Sequence, residues 1–587
     1  MKLFAVFFSL FILSCDGAGN GSSPSPANEN RNGKGNTYLY EGIADRPECS
    51  EETVEWLAYI KGDSKFYYCD GAEWAEINLK GEKGDEGVAG AAGPSGVSGT
   101  TGADGQSRVA FISANSQKYA TIESALDDVD SWCPDRTIDN RCVIELGAGE
   151  HTLESDLYLP DYIALTGQGI LNTTLSVGVR KLVIDDSSVS HMKISTDAVM
   201  KRFVVAAGSG AANAPVTTSL FENVHFVATN DQVASGPFDQ FNLIFNSSDH
   251  SVHVKNSLFS LPDGKVIGIE SYNGHDLIIE NSHFFAQRAV DGQAGEMIAI
   301  LSKQDEDAVL ELSNSSINLV SKNLTGGKLS AISFIGDEAT ETRIVGSKIY
   351  VENPGKADSK MIALDVSQRG DGSVYPTGRS KKIEIRSSEI KAHTTGSIGG
   401  DYLFKYSTGS LDVFDSKFDY VGKTQLMVRE AGEDGLSHFS SYNSQYFFGN
   451  NVGSGFGAGL NFLAEDSVMN SITIVNSSFI GDKDLVGNLG LCLQVIADVE
   501  NFLFDGSRCL TDSTADSIDI DIGDGGGSIE ITNSRLEGSE GLRIDGVGNT
   551  ATTRVLNNVI SGTVNVVIDT EVCAGNVDES GAAVDCT

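Results

Sequence analysis

The sequence predicts an all-β protein whose main body is a parallel β-solenoid, and three observations predict it. First, one short element recurs: an alternating apolar strand, a corner of Asn, Asp, Gly or Ser, usually followed by Ser, then an apolar residue. It reads "VHVKNSLF" at Asn256, "LIIENSHF" at Asn281, "LELSNSSI" at Asn314, "ITIVNSSF" at Asn476 and "IEITNSRL" at Asn533. Second, from Asn223 to Asn557 the corners mark eleven intervals over 334 residues, none shorter than 24 or longer than 41. Third, 65 Gly against 11 Pro, with 40% hydrophobic residues, suits many short strands joined by turns.

The physics of stacked coils accounts for the pattern. Side chains alternate inward and outward along each short strand, so Ile, Val, Leu and Phe enter the lumen while Glu, Lys and Thr face water. Asn or Gly at the corner tolerates left-handed backbone angles, and stacked Asn side chains are expected to form hydrogen-bonded ladders. Variation in the interval maps to loops on one corner. Roughly 15 coils at about 4.8 Å each make a column some 70 Å tall.

With 587 residues the chain exceeds one compact core. The formal charge is −39 at pH 7, and such a surface repels phosphate backbones, which excludes nucleic acid as a partner. The acidity serves solubility, with calcium or a cationic partner as the alternative.

The organisation before the solenoid has four parts. "MKLFAVFFSLFILSC" holds an apolar run of about 11 residues, the length of a secretory signal core and too short to span a bilayer. Ile12-Leu13-Ser14-Cys15 resembles the lipobox of bacterial lipoproteins, which implies a signal peptide over 1–14 and lipidation of Cys15; an ordinary signal peptide cut near Ala18 is the alternative. Residues 15–36 then form a Gly/Ser/Asn/Pro tether. The resemblance implies a lipid-anchored protein of the bacterial envelope, outside the cell on the outer membrane.

Residues 37–80 predict a small hairpin module around Gly62-Asp63-Ser64, stapled by Cys49 and Cys69. It is similar to a Cys/Trp module that precedes collagen-like repeats in bacterial surface lipoproteins. Its Trp56, Tyr67, Tyr68 and Trp74 are read as core, with sugar binding as the alternative. Residues 81–107 carry Gly at every third position, the collagen signature, which asks for two more copies of the chain and predicts a homotrimer on a stalk. Of nine cysteines, the eight beyond Cys15 fall as near neighbours: Cys49/Cys69, Cys133/Cys142, Cys492/Cys509 and Cys573/Cys586. Even, clustered cysteines in an exported chain read as disulfides.

In residues 108–587, "YATIESALDDVDSW" has helical apolar spacing with Thr121 as N-cap, and "CVIELGAGEHTLESDLYLPDYIALTGQG" follows as strands punctuated by Gly. This layout resembles the start of the pectate-lyase-like proteins. The resemblance implies a right-handed parallel β-helix with an N-terminal capping helix over 121–132. Cys133–Cys142 would tie that end and Cys573–Cys586 would close the other.

That family is best known for enzymes on acidic polysaccharides, so their constellations are the test. Asp185-Asp186 is present in "LVIDDSS", yet no Asn-Thr-Asp precedes it and no Arg-x-Lys follows in order; Gly274-His275-Asp276 reverses a His-Gly pair. No catalytic set is complete. Asp519 and Asp521 point outward from one strand and read as a solvated strand face, with calcium binding or a glycosidase acid and nucleophile pair as the alternatives; no other metal or cofactor is expected. The expectation is therefore a non-enzymatic adhesin that presents the β-helix to an extracellular glycan or cell surface. A polysaccharide lyase or hydrolase is the alternative, and a coat protein a third reading. No binding residue is assigned.

Overall fold

The computed structural model describes residues 37–77 and 108–584 apart from stretches between strands, chiefly 208–215, 229–240, 289–296, 367–381, 451–458 and 482–490. Cys15, the 15–36 tether, the 81–107 glycine repeat and Cys586 lie outside the described residues. The chain divides into two compact units, Met1–Ala103 and Asp104–Thr587.

The first unit is a four-stranded sheet. Thr37–Tyr40 runs parallel to Leu57–Ile60, which pairs antiparallel with Lys65–Cys69, and Trp74–Ile77 completes it. Cys49 and Cys69 are bridged, with Cα atoms 5.5 Å apart. The Arg46 guanidinium lies 4.8 Å from the Tyr67 ring centre and 5.5 Å from that of Trp74, and the Trp74 indole donates to Pro47 O. These two aromatic rings are therefore engaged inside the module.

The second unit is the expected right-handed parallel β-helix, a continuous sheet of 41 strands among the described residues. Its pairings resolve into three faces. The first includes Cys142–Leu146, Ile163–Thr166, His250–Lys255 and Ser410–Phe414; the second includes Lys348–Asn353, Glu389–Thr394 and Lys417–Gly422; the third includes Val266–Tyr272 and Met297–Lys303. Every pairing is parallel between coils, so each apolar position sits above its counterpart. Inside, this stacks rings on rings: Phe226, Phe259 and Phe284 follow at centroid distances of 4.7 and 4.3 Å, and Phe418, Tyr446 and Phe479 at 4.9 and 4.5 Å.

Three details differ from the expectations. The capping helix is two short pieces, Ile122–Asp127 and Val129–Trp132, because Asp128 leaves helical geometry (φ −99°, ψ 9°) while its carboxylate accepts the Tyr119 hydroxyl. Thr121 does cap the first piece through Ser124 N. The long connections occupy two corners rather than one: 229–240 links second face to third, and 367–381 links third to first.

The third difference is the ladder. The corner residues do take positive φ, from Asn223 (54°) through Asn256, Ser387 and Asp415 to Asn557 (57°), with Gly346 and Gly506 serving the same role. Their side chains, however, point to solvent. The left-handed residue flips the alternation, so the following Ser turns inward. From Ser257 to Ser534, each Ser N–H donates to the Ser Oγ of the next coil at 3.0–3.2 Å. Each ladder Oγ also reaches its own chain; Ser257 Oγ, for example, donates to Lys255 O at 2.8 Å. Beyond Ser534, the Oδ1 atoms of Asn558 and Asn576 accept the amides instead.

Among the described residues three bridges have both partners, at Cys49–Cys69, Cys133–Cys142 and Cys492–Cys509. Cys573 is also disulfide-bonded.

Replacing one ladder hydroxyl strands a buried amide. Ser416→Ala, which removes the acceptor of Ser388 N, is expected to cost about 1–3 kcal/mol and to lower the urea midpoint of the solenoid. Gly346→Ala should also destabilise, since its Cβ would sit 2.6 Å from Asn314 Oδ1 at a φ of +59°.

Candidate active site

Some outward columns of the solenoid carry ion pairs. On the first face Glu341 contacts Arg343 and Lys382, and Arg386 pairs with Glu384. The corner that leads into the first face near its N-terminal end gathers carboxylates instead. Tyr162 N donates to Asp186 O at 2.9 Å, and Ala164 pairs with Ser188, so Asp161 and Tyr162 stand directly before Asp185 and Asp186 on the next coil. One further coil brings Thr217, and the next His250, which pairs with Thr217. Three carboxyl groups thus lie on two adjacent coils, about 4.8 Å apart along the axis.

Each member is held differently. Asp186 is nearly enclosed and lies 3.3 Å from Arg141 Nη2. The Asp186 charge, first among several causes, raises the Tyr162 phenol above its ordinary range, so it remains a donor. Asp185 is more open, accepts the Asp186 amide at 3.0 Å and lies 3.6 Å from His250 Nδ1. Asp161 is exposed, and partial desolvation, then the charges of Asp185 and Asp186, push its carboxyl above the usual carboxylate range, with Arg136 opposing. A carboxyl raised in this way is suited to donate a proton.

His250 braces the group from behind. It is fully buried, its Nδ1 is 2.6 Å from Thr217 Oγ1 and its Nε2 is 2.8 Å from Ser219 Oγ. Desolvation pushes it down to about 4, against the pull of Asp185, so it is neutral at ordinary pH. Tyr162 adds strain: its φ is 63°, a left-handed angle costly for a bulky side chain and found where surroundings impose it.

Sequence reasoning singled out Asp185-Asp186 but not Asp161, Tyr162 or His250. Asp161 precedes Asp185 by 24 residues, within the range of one coil interval, and that spacing was the available signal. His275 and Asp276 lie beside each other at 3.3 Å one coil beyond His250, outside the carboxylate group. Asp519 and Asp521 do point outward on Ile518–Asp521, and Asp519 lies 3.9 Å from Arg543. Among the described residues no group of three or more His, Cys, Asp or Glu is arranged to hold a metal ion.

The chain matches no protein-family description and no curated protein sequence. Solved structures similar to it include the catalytic domain of a GH87 α-1,3-glucanase in complex with tetrasaccharides: 12% identity, 80% of this chain and 69% of that one covered, TM-score 0.32. Others are the A-module of the Azotobacter vinelandii mannuronan C-5 epimerase AlgE6 (10%, 77% and 94%, 0.19) and the PL6 alginate lyase AlyGC (10%, 80% and 100%, 0.21). At these values the likeness is one of fold. The expectation of a non-enzymatic adhesin is corrected: these β-helix relatives in shape are all polysaccharide-acting enzymes. The chemistry itself has to come from this chain's own residues.

Because His250 binds a proton in the unfolded chain but not in the fold, lowering pH from about 6.5 to about 4 should remove stability. His250→Gln should flatten that part of the curve relative to the natural protein, as read from urea midpoints across that pH range.

Proposed function

We propose that the chain is a polysaccharide-cleaving enzyme of the glycoside hydrolase type, with Asp161 as proton donor and Asp185 as base or nucleophile. The observation that carries this reading is the stacking of Asp161 against Asp185 and Asp186 on adjacent coils. Two carboxyl groups flanking one glycosidic bond, one protonated and one ionised, supply what the cleavage requires. Asp161 protonates the leaving oxygen as the bond breaks. Asp185 faces the anomeric carbon side and takes the proton of the attacking water or attacks directly. Asp186, ion-paired with Arg141, lies beside Asp161 and supports its protonated form. His250 positions Asp185.

A neutral glycan suits the site better than a polyuronate. Formal charge on the whole chain is −39, and a polyanion would meet repulsion along the solenoid as well as at the three carboxylates.

Display outside the cell follows from the remaining sequence features. Cys15 would anchor the chain in a bacterial outer membrane, 15–36 would act as a leash, and 81–107 would gather three copies on a stalk. That arrangement would hold three catalytic columns against an extracellular polymer.

The test is reducing-end release from a panel of neutral and acidic polysaccharides. Activity on a neutral polymer is expected, with Asp161→Asn and Asp185→Asn each lowering kcat by at least about 1,000-fold without loss of the folded state. Full activity in both variants removes the reading. Since Asp161 must be protonated to act, kcat/KM should fall as pH rises through its raised value. Asp186→Asn removes one of the charges that raise it, so the alkaline limb should move to lower pH.

A further inference from the structure

The first face carries a second set of reactive side chains, eight pairing steps beyond Asp185 and about 38 Å along the axis. Ser410, His438 and Ser471 occupy one outward column on successive coils, and Asp412 and Ser440 occupy the next. His438 Nδ1 is hydrogen-bonded to Ser471 Oγ, and His438 Nε2 lies 3.4 Å from Asp412 Oδ1. The two contacts define the tautomer. A carboxylate at Nε2 calls for a proton there, which leaves the Nδ1 lone pair to accept the Ser471 hydroxyl.

The orienting carboxylate is itself secured. Asp412 accepts the Ser440 hydroxyl, and the His438 hydrogen bond holds its carboxyl below the ordinary range. The set is open to solvent, with side-chain exposures of 41% for His438 and 21% for Asp412. This separates it from His250, which has hydroxyl contacts too but is wholly enclosed. One coil beyond Ser471, in the same column, stands Asn501. Its Nδ2 reaches Asn470 O only at 3.5 Å, so at least one amide hydrogen is left to face an oxyanion formed at Ser471.

We propose that Ser471, His438 and Asp412 form an ester-hydrolysing centre, with small O-acyl groups on a glycan as its substrate class. The hydrolase part stands on this geometry alone, and only the glycan part rests on the function proposed above. Ser471 Oγ attacks the acyl carbonyl and its proton passes to His438 Nδ1. The tetrahedral intermediate collapses by breaking the ester C–O bond, and His438 returns the proton to the departing sugar oxygen. Water then attacks the acyl-serine with His438 again as base, releasing the carboxylic acid and restoring Ser471. Asp412 stays ionised and holds the imidazole.

The full-length chain treated with an alkyl fluorophosphonate should give one adduct, mapped by peptide mass spectrometry to Ser471. With 4-nitrophenyl acetate, Ser471→Ala and His438→Gln should each lower nitrophenol release by at least about 100-fold. Asp161→Asn should leave that release unchanged, which separates this centre from the glycan-cleaving one. An adduct absent or mapped elsewhere overturns the proposal, as does a Ser471→Ala variant as fast as the natural protein. The adduct on the unmutated chain needs no variant to fold.

Discussion

The hydrogen bond from each corner amide to the serine hydroxyl of the following coil is the constraint on which the rest of this molecule depends. A parallel solenoid satisfies its strand amides automatically, but the backbone must break ladder geometry to turn, and a buried N–H left without an acceptor is costly. Here the left-handed residue makes the turn and the serine behind it repairs the loss. Both capacities of the hydroxyl are used: Ser347 Oγ, for instance, accepts the Ser315 amide and donates within its own coil to Val345 O. Because the repair happens once per coil at one position, it also sets register. A slip of one residue would expose the lumen and misplace every ladder hydroxyl together.

Fixed register is what turns isolated residues into columns, and columns into chemistry. In places the columns set opposite charges side by side, as with Glu389, Lys391 and Lys417 on the second face. At Asp161, Asp185 and Asp186 the same stacking concentrates charge of one sign. One carboxylate is answered by Arg141; another is left to titrate high. Such a local departure from mixed charge, with a perturbed carboxyl in it, is where function is expected to lie. The buried, neutral His250 and the left-handed Tyr162 belong to that departure.

Much of the fold could be read from the chain, and the reason is physical. Alternation and a repeating corner are local properties, so the strands around Asn256, Asn281 and Asn533 and their positive φ angles followed from sequence alone. Which polar residue lies inside did not. The Asn and Ser of each corner are adjacent, and only the flip in alternation at the left-handed residue decides between them. The site was less legible still. Asp161 sits in "LPDYIA", Asp185 in "LVIDDSS" and His250 in "SSDHSV", three contexts with no shared motif. Their relation exists only when the intervening residues are wound into coils. The reading as an adhesin rested on the anchor, tether, stalk and solenoid together with that gap: searching for known strings finds nothing here, whereas stacking the coils brings the carboxylates together.

The ladder has an implication for how such a chain changes over time. Since every rung both supplies one acceptor and uses one, removing a whole turn joins two compatible neighbours and leaves no orphan at the seam. Length is therefore adjustable in quanta of about 4.8 Å, and inserting or excising a turn between Ser188 and Ser410 would slide the carboxylate group and the Ser471–His438 pair apart or together without reshaping either. Spacing between distant chemistries becomes an inherited dial, set by repeat number rather than by rebuilding a surface.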